Sequence, residues 1–164
     1  VWFILLIVIA VIVIIAAVAS GGKGSDTGNQ PSGSNSGAVV NNGGDSNLGK
    51  SKVEIKSCTL TKDFEGSPAA VVTFSYTNNG KEAQAFDIAF ITHAYQNGIE
   101  AEKCYFLQDE SYENTNNQSK EIKPGVTIDV KVAYKLNDTK SPVEVEVGQF
   151  LSFDDTKITK TFNF

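Results

Sequence analysis

The sequence predicts an all-β fold: an immunoglobulin-like antiparallel β-sandwich of about seven strands, preceded by a single N-terminal transmembrane helix and a disordered linker. Three observations lead to this prediction. They are an uncharged apolar run at the start, a stretch rich in Gly, Ser and Asn behind it, and alternating apolar and polar residues from Val53 onward. They divide the chain into a membrane helix at residues 1–19, a linker at 20–51 and the sandwich domain at 52–164.

The apolar run Val1–Ala19 has the length of a membrane-spanning helix. At a rise of about 1.5 Å per residue it forms a helix of roughly 28 Å, close to the roughly 30 Å hydrocarbon core of a bilayer. A cleaved signal peptide is the alternative, because Ala17–Ala19 has the small-x-small pattern of a cleavage site. We therefore expect the lipid bilayer to be the partner of Val1–Ala19 in a single-pass membrane protein whose domain faces outside, with secretion after cleavage as the alternative.

The linker at residues 20–51 contains nine of the fourteen Gly residues of the chain. Such a segment buries too little apolar surface to offset its conformational entropy, so we expect it to be disordered and to act as a tether. The net charge of the whole chain is -5 at pH 7. This negative charge disfavours contact with a phosphate backbone, and we expect no nucleic acid partner.

Alternation with a period of two predicts the strands of the domain. Along Val126–Leu136 every second residue is apolar, and Val143, Val145 and Val147 alternate with glutamates in the same way. Half-buried strands of this kind are typical of antiparallel sheets, and a small barrel is the alternative to the sandwich. The predicted strands are 53–60, 69–77, 84–96, 99–107, 126–136, 143–151 and 157–164.

The pair Asn97–Gly98 predicts a hairpin turn, because both residues readily take the positive φ angles that a two-residue loop requires. The predicted register places Gln96 opposite Ile99 and turns the even-numbered residues of strand 84–96 toward the core. Lys103 then falls on the apolar face of the second strand, a conflict that a bulge would remove.

Turn motifs across the domain carry a family resemblance. These motifs are Asp63–Gly66, Thr77–Asn79, Tyr95–Glu100, Lys123–Thr127, Ala133–Asp138 and Ser141–Val145. Through them the stretch Ile55–Val147 resembles a bacterial family of secreted or membrane-anchored domains of unknown function with a telokin-like, immunoglobulin-like fold. The resemblance implies a sandwich displayed outside Gram-positive cells, and it brings no catalytic residue with it.

The two cysteines, Cys58 and Cys104, are compatible with a disulfide in a domain outside the cell. Parity along the predicted strands places both on the outer face, where neighbouring strands would allow a bridge. Two separate thiols that pack as small apolar side chains are the alternative. A pair of Cys104 with His93 lacks an evident recess and oxyanion donor, and two Cys with one His are too few for a zinc site. We therefore expect neither a nucleophile nor a metal at these residues.

The polar loop Gln108–Gln118 is the candidate for contact with a partner, because sandwich scaffolds commonly bind through their loops. Its carboxylates could also bind Ca²⁺, but their spacing does not match an EF-hand, and we expect no metal there. The candidate contact residues are Asp109, Glu110, Tyr112, Glu113 and Asn116.

The predicted function is that of a non-enzymatic binding module tethered to the membrane. No catalytic, cofactor-binding or metal-binding constellation stands out in the sequence, and the expected partner is an extracellular protein or a cell-wall ligand. The alternative is a cell-envelope enzyme that acts on peptides or glycans through paired carboxylates such as Glu100 and Glu102. Two acidic residues on one strand face more often mark a solvated surface.

Overall fold

Our computed structural model describes Asn41–Asn42 and residues 46–152 and 156–164. These residues contain ten β-strands and two short helices. The predicted transmembrane helix at residues 1–19 lies outside these described residues. Neither helix within the described ranges has the length and apolar character that crossing a bilayer requires. In chain order the elements are β1 (Asn41–Asn42), β2 (Ser46–Leu48), β3 (Ser51–Lys62), β4 (Pro68–Asn78), α1 (Phe86–Ala89), β5 (Phe90–Gln96), β6 (Ile99–Glu100), β7 (Lys103–Cys104), α2 (Ser111–Thr115), β8 (Thr127–Lys135), β9 (Val143–Gln149) and β10 (Lys157–Phe162).

The described strands form two five-stranded sheets. The first sheet has the order β1-β10-β9-β5-β6, and the second has the order β2-β3-β4-β8-β7. Neighbouring strands are antiparallel except β1 and β10, which run parallel. The prediction of a mostly antiparallel β-sandwich is confirmed. Strand pairing begins before residue 52, because β1 and β2 lie in the segment predicted as a linker and pair with β10 and β3.

Alternating residues from both sheets form one core between the sheets. Burial in β5 falls on the even-numbered residues, as the hairpin register predicts. In β4 the side chains of Ala70, Val72, Phe74 and Tyr76 are completely buried. The strands β8 and β9 add Val130, Val132, Tyr134, Val143, Val145 and Val147 to the same cluster. The alternation in the sequence therefore identified the core faces of these strands.

The sandwich has two ends that carry different connections. At one end, which we call the hairpin end, hydrogen bonds from Gln96 join the end of β5 to the loop that follows β8. At the other end, which we call the helix end, the backbone N–H of Phe150 donates to the carbonyl of Ala89 at the end of α1. The hairpin end carries the turns at residues 63–67, 97–98 and 137–142, and the helix end carries α1 with the segments 79–85, 121–126 and 150–152.

The helix α1 replaces the first part of the strand predicted at residues 84–96. The ring of Phe86 lies 5.3 Å from those of Phe74 and Phe90, between centroids. Tyr76 contacts Phe86 and Phe90 at 5.8 and 5.6 Å, in edge-to-face arrangements that aromatic rings prefer. Residues four apart lie on the same side of a helical turn, so the turn lets Phe86 and Phe90 join one aromatic cluster.

The hairpin between β5 and β6 has the predicted turn and register. Asn97 and Gly98 have φ angles of 55° and 76°, which is the left-handed pair that a tight hairpin needs. Gln96 pairs with Ile99 across this turn. Here a local signal of two residues was sufficient to determine the structure.

The strand predicted at residues 99–107 is wrong beyond its first two residues, because the chain crosses from the first sheet to the second. Lys103 and Cys104 form β7 and pair with β8 of the second sheet. At the crossing, the backbone N–H of Lys135 donates to the carbonyl of Glu102 over 2.8 Å. The crossing removes the conflict at Lys103, whose side chain is exposed and does not face the core.

A β-bulge in β3 reverses the faces of the residues that follow it. The register with β4 shifts between Ile55 and Ser57. The ammonium group of Lys160 donates to the carbonyls of Ile55 and Lys56, over 2.8 and 3.1 Å. One extra residue reverses the alternation, so Cys58 packs against the core, whereas parity placed it outside.

A buried glutamine organises the hairpin end. Gln96 is 1% exposed, and its Nε2 donates to the carbonyls of Asp138 and Ser141, over 3.0 and 3.2 Å. Its Oε1 accepts from the N–H groups of Asn137 and Asp138, over 2.8 and 3.2 Å. One side chain thereby supplies hydrogen bonds to most of the loop between β8 and β9 and holds the loop against the sandwich.

We expect Gln96→Leu to lower the free energy of unfolding by about 2–4 kcal/mol, because two N–H groups and two carbonyls lose their partners. The matched control is Gln108→Leu, the same change at an exposed glutamine, which should alter stability by less than about 0.5 kcal/mol. Urea denaturation followed by circular dichroism measures both variants. Equal stabilities for the two variants would contradict the role assigned to Gln96.

Candidate functional site

The loop Gln108–Gln118, predicted to contact a partner, lies along the edge of β8. The strand β7 covers only a short part of that edge, and an uncovered edge exposes unpaired backbone groups. The loop supplies the missing hydrogen bonds. The N–H of Lys131 donates to the carbonyl of Asn116 over 2.8 Å, and Gln118 Nε2 donates to the carbonyl of Lys131 over 2.8 Å. Asn117 Nδ2 donates to the carbonyl of Asp129 over 2.9 Å.

Tyr112 anchors this loop and is buried, so it is not the exposed contact that the sequence predicted. Its ring packs against Ala69, Cys104, Leu107 and Ala133 on the outer face of the second sheet. Its hydroxyl oxygen accepts from the N–H of Ala133 over 2.9 Å. Burial raises the pKa of the phenol, which therefore stays neutral. Tyr112 closes a second, smaller apolar cluster outside the main core.

The other predicted contact residues remain near the surface and serve the loop itself. Asp109 Oδ1 accepts from the N–H of Ser111 over 3.0 Å, and hydrogen bonds from Ser111 hold the pKa of Asp109 below its usual value. Asn116 Nδ2 donates to the carbonyl of Glu113 over 3.2 Å. Glu110 and Glu113 are exposed. Across the described ranges no group of three or more His, Cys, Asp or Glu residues could hold a metal ion.

The two cysteines are separate thiols in the structure. Cys58 lies on β3 and faces the core, whereas Cys104 lies on β7 on the outer face of the second sheet. The strands β4 and β8 separate β3 from β7, which at about 4.8 Å per strand places them about 14 Å apart. A disulfide requires Cα atoms closer than about 7 Å.

The single histidine pairs with a carboxylate and not with a thiol. His93 Nδ1 lies 2.6 Å from Glu100 Oε1 on the outer face of the first sheet, whereas Cys104 belongs to the second sheet. The side chains of His93 and Glu100 are 30% and 58% exposed, so water screens their attraction. Glu102 is also exposed. His93, Glu100 and Glu102 line one open cavity of about 420 Å³ together with Tyr105.

Three exposed aromatic side chains form a groove at the hairpin end. The exposed fractions of Phe64, Tyr105 and Phe106 are 76%, 66% and 65%. The groove has a volume of about 460 Å³, and Lys103 and Lys135 are among the charged residues that line it. We call Phe64, Tyr105 and Phe106 with this cavity the aromatic groove.

The backbone around the aromatic groove is held by hydrogen bonds. The N–H of Phe64 donates to the carbonyl of Phe106 over 3.1 Å, which joins the β3–β4 turn to the crossing segment. Buried Asp63 uses Oδ1 to accept from the N–H groups of Glu65 and Ser67, over 3.0 and 2.8 Å. The aromatic rings therefore project from a braced backbone.

The sequence prediction missed this groove, although two signals for it were present. Tyr105 and Phe106 are adjacent, and adjacent residues of an extended chain point to opposite sides, so both could not enter one core. Phe64 stands in a tight turn where no core can cover it. Contiguous exposed apolar side chains on a soluble domain mark interaction sites, and this groove is the candidate functional site.

We expect Tyr112→Phe to weaken the cover over β8, because the N–H of Ala133 loses its acceptor. Hydrogen exchange at the Ala133 amide should accelerate at least about tenfold, with a stability loss of about 1–2 kcal/mol. Tyr105→Phe, the same change at an exposed tyrosine, is the control and should leave both quantities unchanged. Slow exchange at Ala133 in both variants would show that Tyr112 does not anchor the loop.

Both thiols should resist alkylation in the folded protein. Burial raises the pKa of Cys58 from 9.0 to about 12 and also raises the pKa of Cys104, so little reactive thiolate forms at pH 8. We expect iodoacetamide to modify neither thiol before urea unfolds the domain, with mass spectrometry as the readout. An unfolded thiol ionises near pH 9, so the contribution of Cys58 to the free energy of unfolding falls as the pH rises above 9. Rapid native labelling of Cys58 would contradict its placement.

Comparisons with known proteins agree with this architecture. A candidate lipoprotein from Staphylococcus aureus subsp. aureus NCTC 8325 is 15% identical and superimposes with a TM-score of 0.54, over 70% of this chain and 83% of its own. An uncharacterized β-sandwich protein from Clostridium difficile 630 is 16% identical with a TM-score of 0.50, over 76% of this chain and 93% of its own. These similarities show a shared fold. No curated protein matches the chain significantly. The profile of the domain of unknown function DUF5067 matches residues 29–149, and the chain therefore belongs to the DUF5067 family.

Proposed function

We propose that this domain is a non-enzymatic binding module, held outside a Gram-positive cell by a membrane tether, and that it binds an apolar segment of an extracellular protein through the aromatic groove. The observation that carries the proposal is the convergence of Phe64, Tyr105 and Phe106 in one cavity, each about two-thirds exposed or more. An immunoglobulin-like sandwich is a rigid support that leaves its ends free for contact.

The chemistry of the groove favours a protein partner. Phe and Tyr supply large apolar area at a small cost in side-chain entropy, and aromatic residues are enriched at the centres of protein interfaces. Lys103 and Lys135 line the cavity together with the carboxylates of Asp63 and Glu65, so both signs of charge lie beside the aromatic rings and the apolar surface carries the contact.

The position of the groove suits a tethered module. The strand β1 runs parallel to β10, and Asn41 pairs with Ile158, so β1 begins at the helix end. The aromatic groove lies at the hairpin end, on the far side of the sandwich. The staphylococcal protein is named as a candidate lipoprotein, a class attached to membranes, which supports attachment to a membrane here.

Photocrosslinking tests the groove in cells that produce the full chain. With p-benzoylphenylalanine in place of Phe106, we expect a discrete protein adduct that the same probe at Thr161, exposed on the other sheet, does not give. Adding Phe64→Ser should reduce the adduct about tenfold or more, since removing a central aromatic commonly costs an interface that much.

The control for that loss is the stability of Phe64→Ser, which should stay within about 0.5 kcal/mol of the parent because the ring is exposed. Identical adducts at positions 106 and 161 would contradict the proposal. An adduct at position 106 that is indifferent to Phe64→Ser would also contradict it.

A further inference from the structure

A second exposed apolar surface lies at the helix end. The exposed fractions of Leu151, Ile88, Phe150 and Ile91 are 84%, 61%, 43% and 41%. The backbone N–H of Phe150 donates to the carbonyl of Ala89 over 3.0 Å, which places the end of β9 beside α1. We call these four apolar side chains the helix-end patch.

Leu151 is the residue that most needs an explanation. Its φ angle is 56°, in the left-handed region that a leucine side chain disfavours. Gly or Asn would adopt this backbone at lower cost, and a polar residue would suit a position that is 84% exposed. A leucine is therefore unfavourable here both for its backbone conformation and for its exposure to water. Contact with an apolar environment outside the described fold would remove its side chain from water.

The course of the chain indicates which environment lies near the helix end. The strand β1 begins at this end, because it is parallel to β10 and Asn41 pairs with Ile158. Residues 20–40 separate the apolar run Val1–Ala19 from β1. Fully extended, a chain of that length reaches at most roughly 70 Å. If the run spans a bilayer, as the proposed function holds, then the helix end lies within reach of the lipid.

We propose that the helix-end patch inserts into the interfacial region of the bilayer to which the chain is tethered. The inference rests on the proposed function for the tether but not for the aromatic groove. A tether raises the effective concentration of lipid at the patch, so a few apolar side chains suffice for a contact that would be weak in free solution. The chain carries a net charge of -5, so anionic lipid would not attract it. The contact therefore depends on the apolar side chains.

Tryptophan fluorescence of the full chain in phosphatidylcholine vesicles tests this contact. A Trp2→Phe background removes the only native Trp, and Leu151→Trp then reports on the patch. Leu and Trp are both unbranched at Cβ, so the change adds no backbone strain. Phe64→Trp is the matched reporter at the hairpin end. We expect acyl chains brominated near the headgroup to quench Leu151→Trp about twofold and to leave Phe64→Trp unchanged.

A second reporter guards against local damage at Leu151. Ile88→Trp should be quenched as well, and adding Leu151→Asp should relieve that quenching. Vesicle flotation of the same samples tests the tether. A chain that floats while Leu151→Trp and Ile88→Trp escape quenching refutes the patch and leaves the tether intact. Equal quenching of the reporters at both ends also refutes it, since no end would then face the lipid.

A chain that does not float with the vesicles refutes the tether and with it this inference. The crosslinking result at Phe106 is measured separately, so it would still decide the role of the aromatic groove.

Discussion

The backbone hydrogen bonds along the free edge of β8 constrain the whole second half of the fold. Those groups must find partners, and the chain supplies them by leaving the first sheet after β6, pairing briefly as β7 and then laying a loop along the same strand. This path turns Cys104 and Leu107 inward and leaves Tyr105 and Phe106 outside. The candidate binding surface therefore results from the path by which the chain covers this edge. For this reason it lies on the crossing segment and not on the predicted loop.

Two buried amide side chains hold the ends of the sandwich. Gln96 does so at the hairpin end, and Asn78, completely buried, does so at the helix end. Asn78 Nδ2 donates to the carbonyls of Glu82 and Ile122, each over 2.8 Å, and its Oδ1 accepts from the N–H of Gly80 over 2.9 Å. Each amide satisfies backbone groups of connections that have no sheet partner, so long irregular segments stay close to the core. Both exposed apolar surfaces project from ends braced in this way.

Features that depend on neighbouring residues were predictable from the sequence, and features that depend on distant ones were not. The alternation of β4, β8 and β9 and the turn at Asn97–Gly98 are local, and the structure has them as predicted. The face of Cys58 depends on a bulge braced by Lys160 from the other sheet, more than a hundred residues away. The burial of Tyr112 depends on an edge that exists only after β7 has crossed between the sheets. The aromatic groove was predictable only in part. The adjacency of Tyr105 and Phe106 indicates that one of the two rings is exposed, but it does not show where on the domain the exposed ring lies.

The parallel pairing of β1 with β10 has a mechanical consequence. Tension applied along the axis of β1 shears its pairing with β10 and does not peel it open. Shear loads the hydrogen bonds of a strand together, whereas peeling breaks them one after another. Beyond β1 the chain enters β2 on the second sheet, so a pull would be passed to both sheets in turn. A pull along β1 would therefore load this pairing in shear.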